Sequence, residues 1–304
     1  MSLLDLRIAS LGQRLGLPER ATKRVIRARR ILGHPLLYAR RFAVPERLRQ
    51  SPWFDFVDRT QGYRCFDAAT FPGVDDLVAS CTAAFDAMGG VESTENAKKP
   101  FFTNILSEQD LGNHPVLIRF ALSEPVLAAV TGYLGTVPRL KGIGLYYSPP
   151  NETMRSSQLF HYDHDDDRQL KCFINILPVS EVNGPFTFLP KPVSDRVFAT
   201  VGARYLKGRF QDEDVLSVAE PGECRELLGP PGQGGFVDTS NCLHYGSRAR
   251  EGARLAFMFQ YTSFPDIRLD KGKTLDGQPL HQFPADRFAG DDLERLVLSP
   301  EQDN

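Results

Sequence analysis

Apolar positions along the first 48 residues recur in an imperfect helical stripe. Leu3, Leu4, Leu6, Ile8, Leu11, Leu15 and Leu17 fit one broken helix, and Pro18 suits the start of a second. Ala21 to Leu32 is basic, with Val25, Ile26 and Ile31 as its apolar contacts; Pro35 and Pro45 interrupt the residues after it. Between Phe66 and Gly89, Val74, Leu77, Val78, Cys81, Ala84, Phe85 and Met88 return every three or four residues. That spacing predicts a helix, with Asp67 as an early cap. Leu117 to Leu134 predicts another, with Pro125 opening the turn that Val126 to Leu134 continue. After Pro138 the period changes. Leu140–Ser148, Gln169–Pro178, Pro185–Leu189, Gly235–Thr239 and Arg254–Ser263 are short, rich in β-branched or aromatic residues, and bounded by Gly, Pro or Asn. In the last, Leu255, Phe257, Phe259 and Tyr261 alternate with Ala256, Met258, Gln260 and Thr262. The pattern predicts a mainly β protein with flanking helices: a basic helical arm over 1–50, then one sandwich- or barrel-like domain over 51–304. The stretch from Val91 to Lys99 is expected to be a loop, and the Asp-rich tail after Asp266 to wrap the surface.

Composition narrows this little. The chain has 304 residues and 41 % hydrophobic content, ordinary for a soluble globular protein. No run approaches the roughly 18 apolar residues of a transmembrane helix. Met1 to Ala9 lacks the apolar core of a secretory signal. Five scattered Cys without a C-x-x-C pair argue against a disulfide framework or a zinc ribbon and fit a reducing cytoplasm. Charge is more telling. Residues 1–50 carry 12 Lys and Arg against 3 Asp and Glu, a net of +9; the remainder carries 24 against 35, a net of −11. Such an arm can pack on an acidic patch of its own domain or meet an anionic membrane surface from the cytoplasmic side. Without interleaved aromatic residues it does not suit nucleic acid.

The candidate chemistry lies in His161-Tyr162-Asp163, His244 and Arg254. Residues i and i+2 of an extended strand share a face, so His161 and Asp163 can reach one ion. His244 follows 81 residues after Asp163, just past the strand Gly235–Thr239, which is chain enough to cross a sandwich and return. Two His and one carboxylate form a facial ligand set that leaves positions open for co-substrate and oxygen. An H-x-D alone is common, and HYDHDDD is acidic enough to be a solvated loop. His164 would face away from Asp163, while His34, His114 and His281 lack a carboxylate at useful spacing. Arg254 opens an alternating strand with a strongly apolar face; a guanidinium there needs an anion, and its fork matches a carboxylate. A structural salt bridge is the plain alternative. Arg248 and Arg250 lie nearer His244 but in a polar turn.

These residues, with Lys171-Cys-Phe-Ile-Asn-Ile-Leu-Pro-Val, Asn183-Gly-Pro-Phe-Thr-Phe-Leu-Pro190 and Gly235-Phe-Val-Asp before His244, resemble the phytanoyl-CoA dioxygenase-like family of Fe(II)/2-oxoglutarate oxygenases. The resemblance spans about Leu140 to Thr262. It implies a double-stranded β-helix (a cupin-like jelly roll) with N-terminal helices. It also implies His161, Asp163 and His244 as iron ligands, and Arg254 as the holder of the distal carboxylate of 2-oxoglutarate. Asn175 and Tyr146 are expected to line the cavity as further co-substrate contacts, with packing or capping as the plain alternative. Where the family commonly carries a Pro-Gly-Ser-His turn, this chain has Pro190-Lys191-Pro192-Val193. Related halogenases replace the carboxylate ligand by a small residue, so Asp163 favours hydroxylation or another oxidation by molecular oxygen over halogenation. The expected substrate is a small molecule or a lipid-linked one. A cupin-type metalloenzyme independent of 2-oxoglutarate and a non-catalytic jelly-roll binding module are the competing readings; the first gives Arg254 no role, and the second leaves His161, Asp163 and His244 incidental and the purified protein without iron.

Overall fold

A computed structural model of the chain describes residues 3–17, 19–33, 35–89, 91, 99–202, 209–263 and 285–298. Pro18, His34, His281, most of the stretch from Val91 to Lys99 and the segment after Asp266 up to 284 lie outside them. The basic segment forms α1 (Leu3–Arg14), α2 (Glu19–Gly33), α3 (Pro35–Phe42) and α4 (Glu46–Gln50). Some of its charges turn inward, while Arg7, Arg14, Arg24, Arg40, Arg47 and Arg49 stay exposed. Asp5, almost fully buried, pairs with Arg29 and Arg30, and Arg27 reaches Asp167 at 2.7 Å. Arg41 is completely buried and donates to the carbonyls of Val137, Pro138 and Leu296 at 2.7 to 3.3 Å. Leu48 already belongs to the main core. The outer surface of these helices exposes Leu11, Leu15, Leu32 and Leu36.

Next come β1 (Tyr63–Phe66), α5 (Val74–Ala87), β2 (Thr103–Asn104) and α6 (Glu108–Asn113). The helix expected over Phe66–Gly89 is therefore shorter. Asp67 accepts from the Thr70 amide at 2.8 Å and holds a turn, which releases Tyr63–Phe66 to pair as an edge strand. The helix predicted over Leu117–Leu134 is two, α7 (Val116–Leu122) and α8 (Glu124–Leu134), bent by 43° at Ser123, with Pro125 in the first turn of the second. Among the described residues no single helix is long and apolar enough to cross a membrane, and this bent pair is buried in the core.

The remaining elements are β3 (Arg139–Ser148), β4 (Phe160–His161), β5 (Gln169–Asn175), β6 (Thr187–Phe188), α9 (Lys191–Val201), β7 (Arg209–Phe210), α10 (Asp212–Leu216), β8 (Arg225–Glu226), β9 (Gly234–Val237), β10 (His244–Tyr245), β11 (Arg254–Thr262), α11 (Ala285–Phe288) and α12 (Asp292–Leu298). They build two antiparallel sheets, a six-stranded one in the order β1-β9-β5-β11-β3-β2 and a five-stranded one in the order β7-β4-β10-β6-β8. From β3 to β6 and again from β8 to β11 consecutive strands alternate between the sheets, as in a double-stranded β-helix, while β1 to β3 stay in the first sheet and β6 to β8 in the second. After β6 the chain enters α9 directly, with Pro190 at its N-cap.

Period-two alternation sorts the side chains. Leu255, Phe257, Phe259 and Tyr261 of β11, with Leu170, Cys172 and Ile174 of β5, join the core against α5, α7, α8 and α12. The opposite face looks into the space between the sheets, where Tyr146, Phe173, Phe186, Phe188, Val237 and Met258 pack. Every residue of β5 and β11 is buried, so both faces of these central strands are covered. Polar residues on the inner face then need partners, and the candidate site is built from them.

Candidate metal centre

The two-residue strands β4 and β10 pair antiparallel with His161 directly opposite His244, their ring centroids 4.3 Å apart. This register brings together two residues 83 positions apart in sequence. Tyr162 points to the outer side and donates to the Ser194 carbonyl at 2.9 Å, so Asp163 returns to the inner side. His161 Nε2 lies 4.0 Å from Asp163 Oδ1, and His244 Nε2 lies 3.7 Å from Oδ2. One ligand atom from each of the three lies within 4.8 Å of the others, all buried. His164, next in sequence, is exposed.

Local contacts put all three in ligand form. Nδ1 of His161 faces the Leu159 carbonyl at 2.8 Å, and Nδ1 of His244 faces the Cys242 carbonyl at 2.9 Å. A carbonyl only accepts, so Nδ1 carries the proton in both rings and each Nε2 lone pair is left toward Asp163. Burial, with the neighbouring imidazole, holds His161 well below the usual histidine range; burial likewise lowers His244. Burial alone would raise Asp163, but the Lys171 ammonium beside it holds its carboxyl well below the ordinary range. Two neutral imidazoles and one carboxylate suit a divalent ion bound through nitrogen and oxygen.

The acidic loop is not solvated, contrary to one reading of HYDHDDD. Asp165 and Asp166 are buried. Asp165 meets Lys141 at 3.0 Å and accepts from Gln260 at 2.9 Å. Gln260 also donates to Gln169, which donates to Thr239. The Thr239 carbonyl takes the Asp163 amide at 2.9 Å, so this network fixes the loop that presents the ligand. The second histidine is held by Asp238, which accepts from Tyr133 at 2.6 Å and Asn241 at 2.8 Å and shapes the turn before β10.

Burial raises Asp238 to about 6 despite those two bonds. Its folded value lies above its ordinary one, so folding takes up a proton: the contribution is complete below about pH 4 and is lost as pH rises through 6. Asp238→Asn has no such term. Urea unfolding is expected to show the variant gaining about 2 kcal/mol on the wild type between about pH 4.5 and 7.5. A pH-independent difference would show that Asp238 stays ionised when folded.

Arg254 opens β11 on the inner face. It is 2 % exposed, and its Nη1 donates to the Gly184 carbonyl at 3.0 Å while Nε has no hydrogen bond. Among the described residues no carboxylate pairs with it, and burial pushes the guanidinium down to about 10. Gly184 sits in the left-handed region at φ 71°, and a Cβ there would lie 2.4 Å from the Ala249 amide nitrogen. The Asn183-Gly184-Pro185 stretch thus lets two backbones approach and presents a carbonyl to Arg254. Arg248 is engaged elsewhere, in a bidentate pair with Asp212 at 2.6 and 2.8 Å and over the Tyr245 ring.

Tyr146, Ala256 and Asn175 lie in one row across β3, β11 and β5 on this inner face. Tyr146 stacks on Phe102 at 4.4 Å, and Asn175 donates to the Leu227 carbonyl at 3.1 Å, so each also has a packing role. Sequence reasoning missed Lys171, whose Nζ lies 2.8 Å from Asp163 Oδ2. The alternation of β5 could have found it, since a Lys in phase with Phe173 and Asn175 faces inward and needs a counter-ion. A separate cavity of about 890 Å³ borders Thr187, Tyr245, Arg248 and residues 150–154. No triad residue is among its described lining.

No family model and no curated protein matches the chain. Distant likenesses exist among solved structures. The epimerase SnoN in complex with Fe3+, alpha ketoglutarate and nogalamycin RO is 19 % identical over 73 % of this chain and 88 % of its own, with a TM-score of 0.45. EctD from S. alaskensis in its apoform is 17 % identical over 72 % and 77 %, with a TM-score of 0.46. HygX from Streptomyces hygroscopicus with iron bound is 14 % identical over 72 % and 90 %, with a TM-score of 0.47. Similarity this distant leaves the site's own geometry to carry the functional reading.

Proposed function

We propose that the protein is an Fe(II)/2-oxoglutarate-dependent dioxygenase that hydroxylates a small-molecule or lipid-linked substrate. The observation that carries the reading is Arg254, a buried guanidinium that no carboxylate among the described residues pairs with, on the inner face that also receives the triad. A buried charge is retained where something compensates it, and a dicarboxylate bound at the metal supplies that charge when it arrives. His161, Asp163 and His244 hold the iron. Arg254 takes the distal carboxylate of 2-oxoglutarate through its planar fork. Phe173, Phe186 and Met258 provide an apolar wall that excludes water, with Tyr146 and Asn175 beside them. Bound iron, 2-oxoglutarate and oxygen together supply oxidative decarboxylation to succinate and carbon dioxide and the power to oxygenate a C–H bond.

Titration of the protein with Fe(II) and then 2-oxoglutarate, without oxygen, is expected to produce the weak visible charge-transfer band of a chelated iron. Iron binding without that band would favour a cupin-type metalloenzyme that does not use 2-oxoglutarate. No iron binding would leave a jelly-roll binding module.

A further inference from the structure

Asp163 faces two cations-to-be, the incoming metal and a resident lysine. Lys171 stands on the inner face of β5, 9 % exposed at its side chain, with Nζ 2.8 Å from Asp163 Oδ2. The ammonium sits at hydrogen-bond distance from Oδ2, and no other donor among the described residues reaches that buried oxygen. Arg209, the cross-strand partner of His161, is exposed and spends its Nη1 on the Ser156 carbonyl at 2.6 Å. The two imidazoles, protonated only at Nδ1, are neutral and compensate nothing. A buried carboxylate without a counter-charge is costly. Lys171 supplies that charge.

We propose that Lys171 is the counter-cation of the metal-free triad, and that a divalent ion competes with it for Asp163. The proposal rests on the metal-binding reading of the triad but not on 2-oxoglutarate. It has two consequences. The triad stays folded and preformed without metal, because Asp163 is compensated. Metal affinity is held down, because the ion must share its only carboxylate ligand with an ammonium it cannot expel from the fold. A lysine that merely positioned the carboxylate would have the opposite effect, since its loss would loosen a ligand.

The sign of the change in affinity separates the two roles. The full-length protein is titrated calorimetrically with Ni(II) alone. Lys171→Met is expected to tighten Ni(II) binding at least about tenfold, while lowering the melting temperature of the metal-free protein. Lys171→Arg keeps the charge and is expected to stay within about threefold of the wild type. If Lys171→Met does not fold without metal, Lys171→Gln reads the same tightening with a neutral polar chain. Unchanged or weaker binding in a folded neutral variant overturns the proposal, as does tightening by Lys171→Arg equal to that by Lys171→Met. Wild-type protein that binds no Ni(II) overturns the metal reading and this proposal together. Binding that fails to tighten overturns this proposal alone.

Discussion

Arg254→Met is expected to weaken 2-oxoglutarate binding by about 10- to 150-fold while leaving iron binding within about threefold. The range follows from losing charge-assisted hydrogen bonds worth about 1.5–3 kcal/mol. Iron should be spared because Arg254 contacts none of the three ligands. Its hydrogen bond is to the Gly184 carbonyl. Stability gives an independent check. A structural guanidinium would make the metal-free protein weaker when removed. Here the guanidinium is buried with no carboxylate among the described residues and one unbonded Nε, so an apolar chain of similar length is expected to hold or raise the unfolding midpoint. Denaturant unfolding of metal-free protein measures this, and the anaerobic charge-transfer titration measures the co-substrate. Loss of stability with unchanged 2-oxoglutarate binding would return Arg254 to the role of a core residue.

The strands of the major sheet could be read from sequence because β5 and β11 are long enough for alternation to register. Each also carries one face of large apolar residues. Leu255 to Thr262 could be assigned residue by residue to a face, and the structure keeps that assignment through a register shift between Gln260 and Tyr261. Of the minor sheet only β6 was legible, inside the apolar stretch Pro185–Leu189. β4, β6, β7, β8 and β10 are two residues each, too short for any period, and they exist because the neighbouring sheet and α9 hold them. The metal centre falls on two of these short strands. It was legible only as chemistry, from the residue types His, Asp and His and their order. Their meeting depends on the pairing of His161 with His244, which no local pattern encodes.

What hid the surrounding residues was charge. A run of four acids in five positions at Asp163–Asp167 looks solvated, since burying several carboxylates is costly. The fold meets that cost with cations from distant elements, Lys141 for Asp165, Lys171 for Asp163 and Arg27 for Asp167. Arg27 comes from the basic N-terminal segment. Part of the charge asymmetry along the chain is thus an internal pairing of arm and domain. The same cause explains why Gln260 and Gln169 do not stand out in the sequence: they are ordinary polar letters in a strand until the loop they anchor is seen to carry a ligand.

Asp163→Ala should lose divalent metal binding by about 100-fold or more, because the anionic ligand is gone and only two neutral imidazoles remain. The same substitution strands Lys171. Breaking a buried ion pair from one side costs about 3–5 kcal/mol, and the metal-free fold is expected to lose stability of that order. The double variant Asp163→Ala with Lys171→Met removes both charges. It should regain much of the lost stability without regaining metal, since the two charges are coupled in the fold while only the carboxylate is a ligand. Urea unfolding of the wild type, both single variants and the double variant gives the coupling energy directly. A coupling near zero would mean that the 2.8 Å contact contributes nothing to the metal-free fold, and Lys171 would then have no claim on the carboxylate that the iron needs.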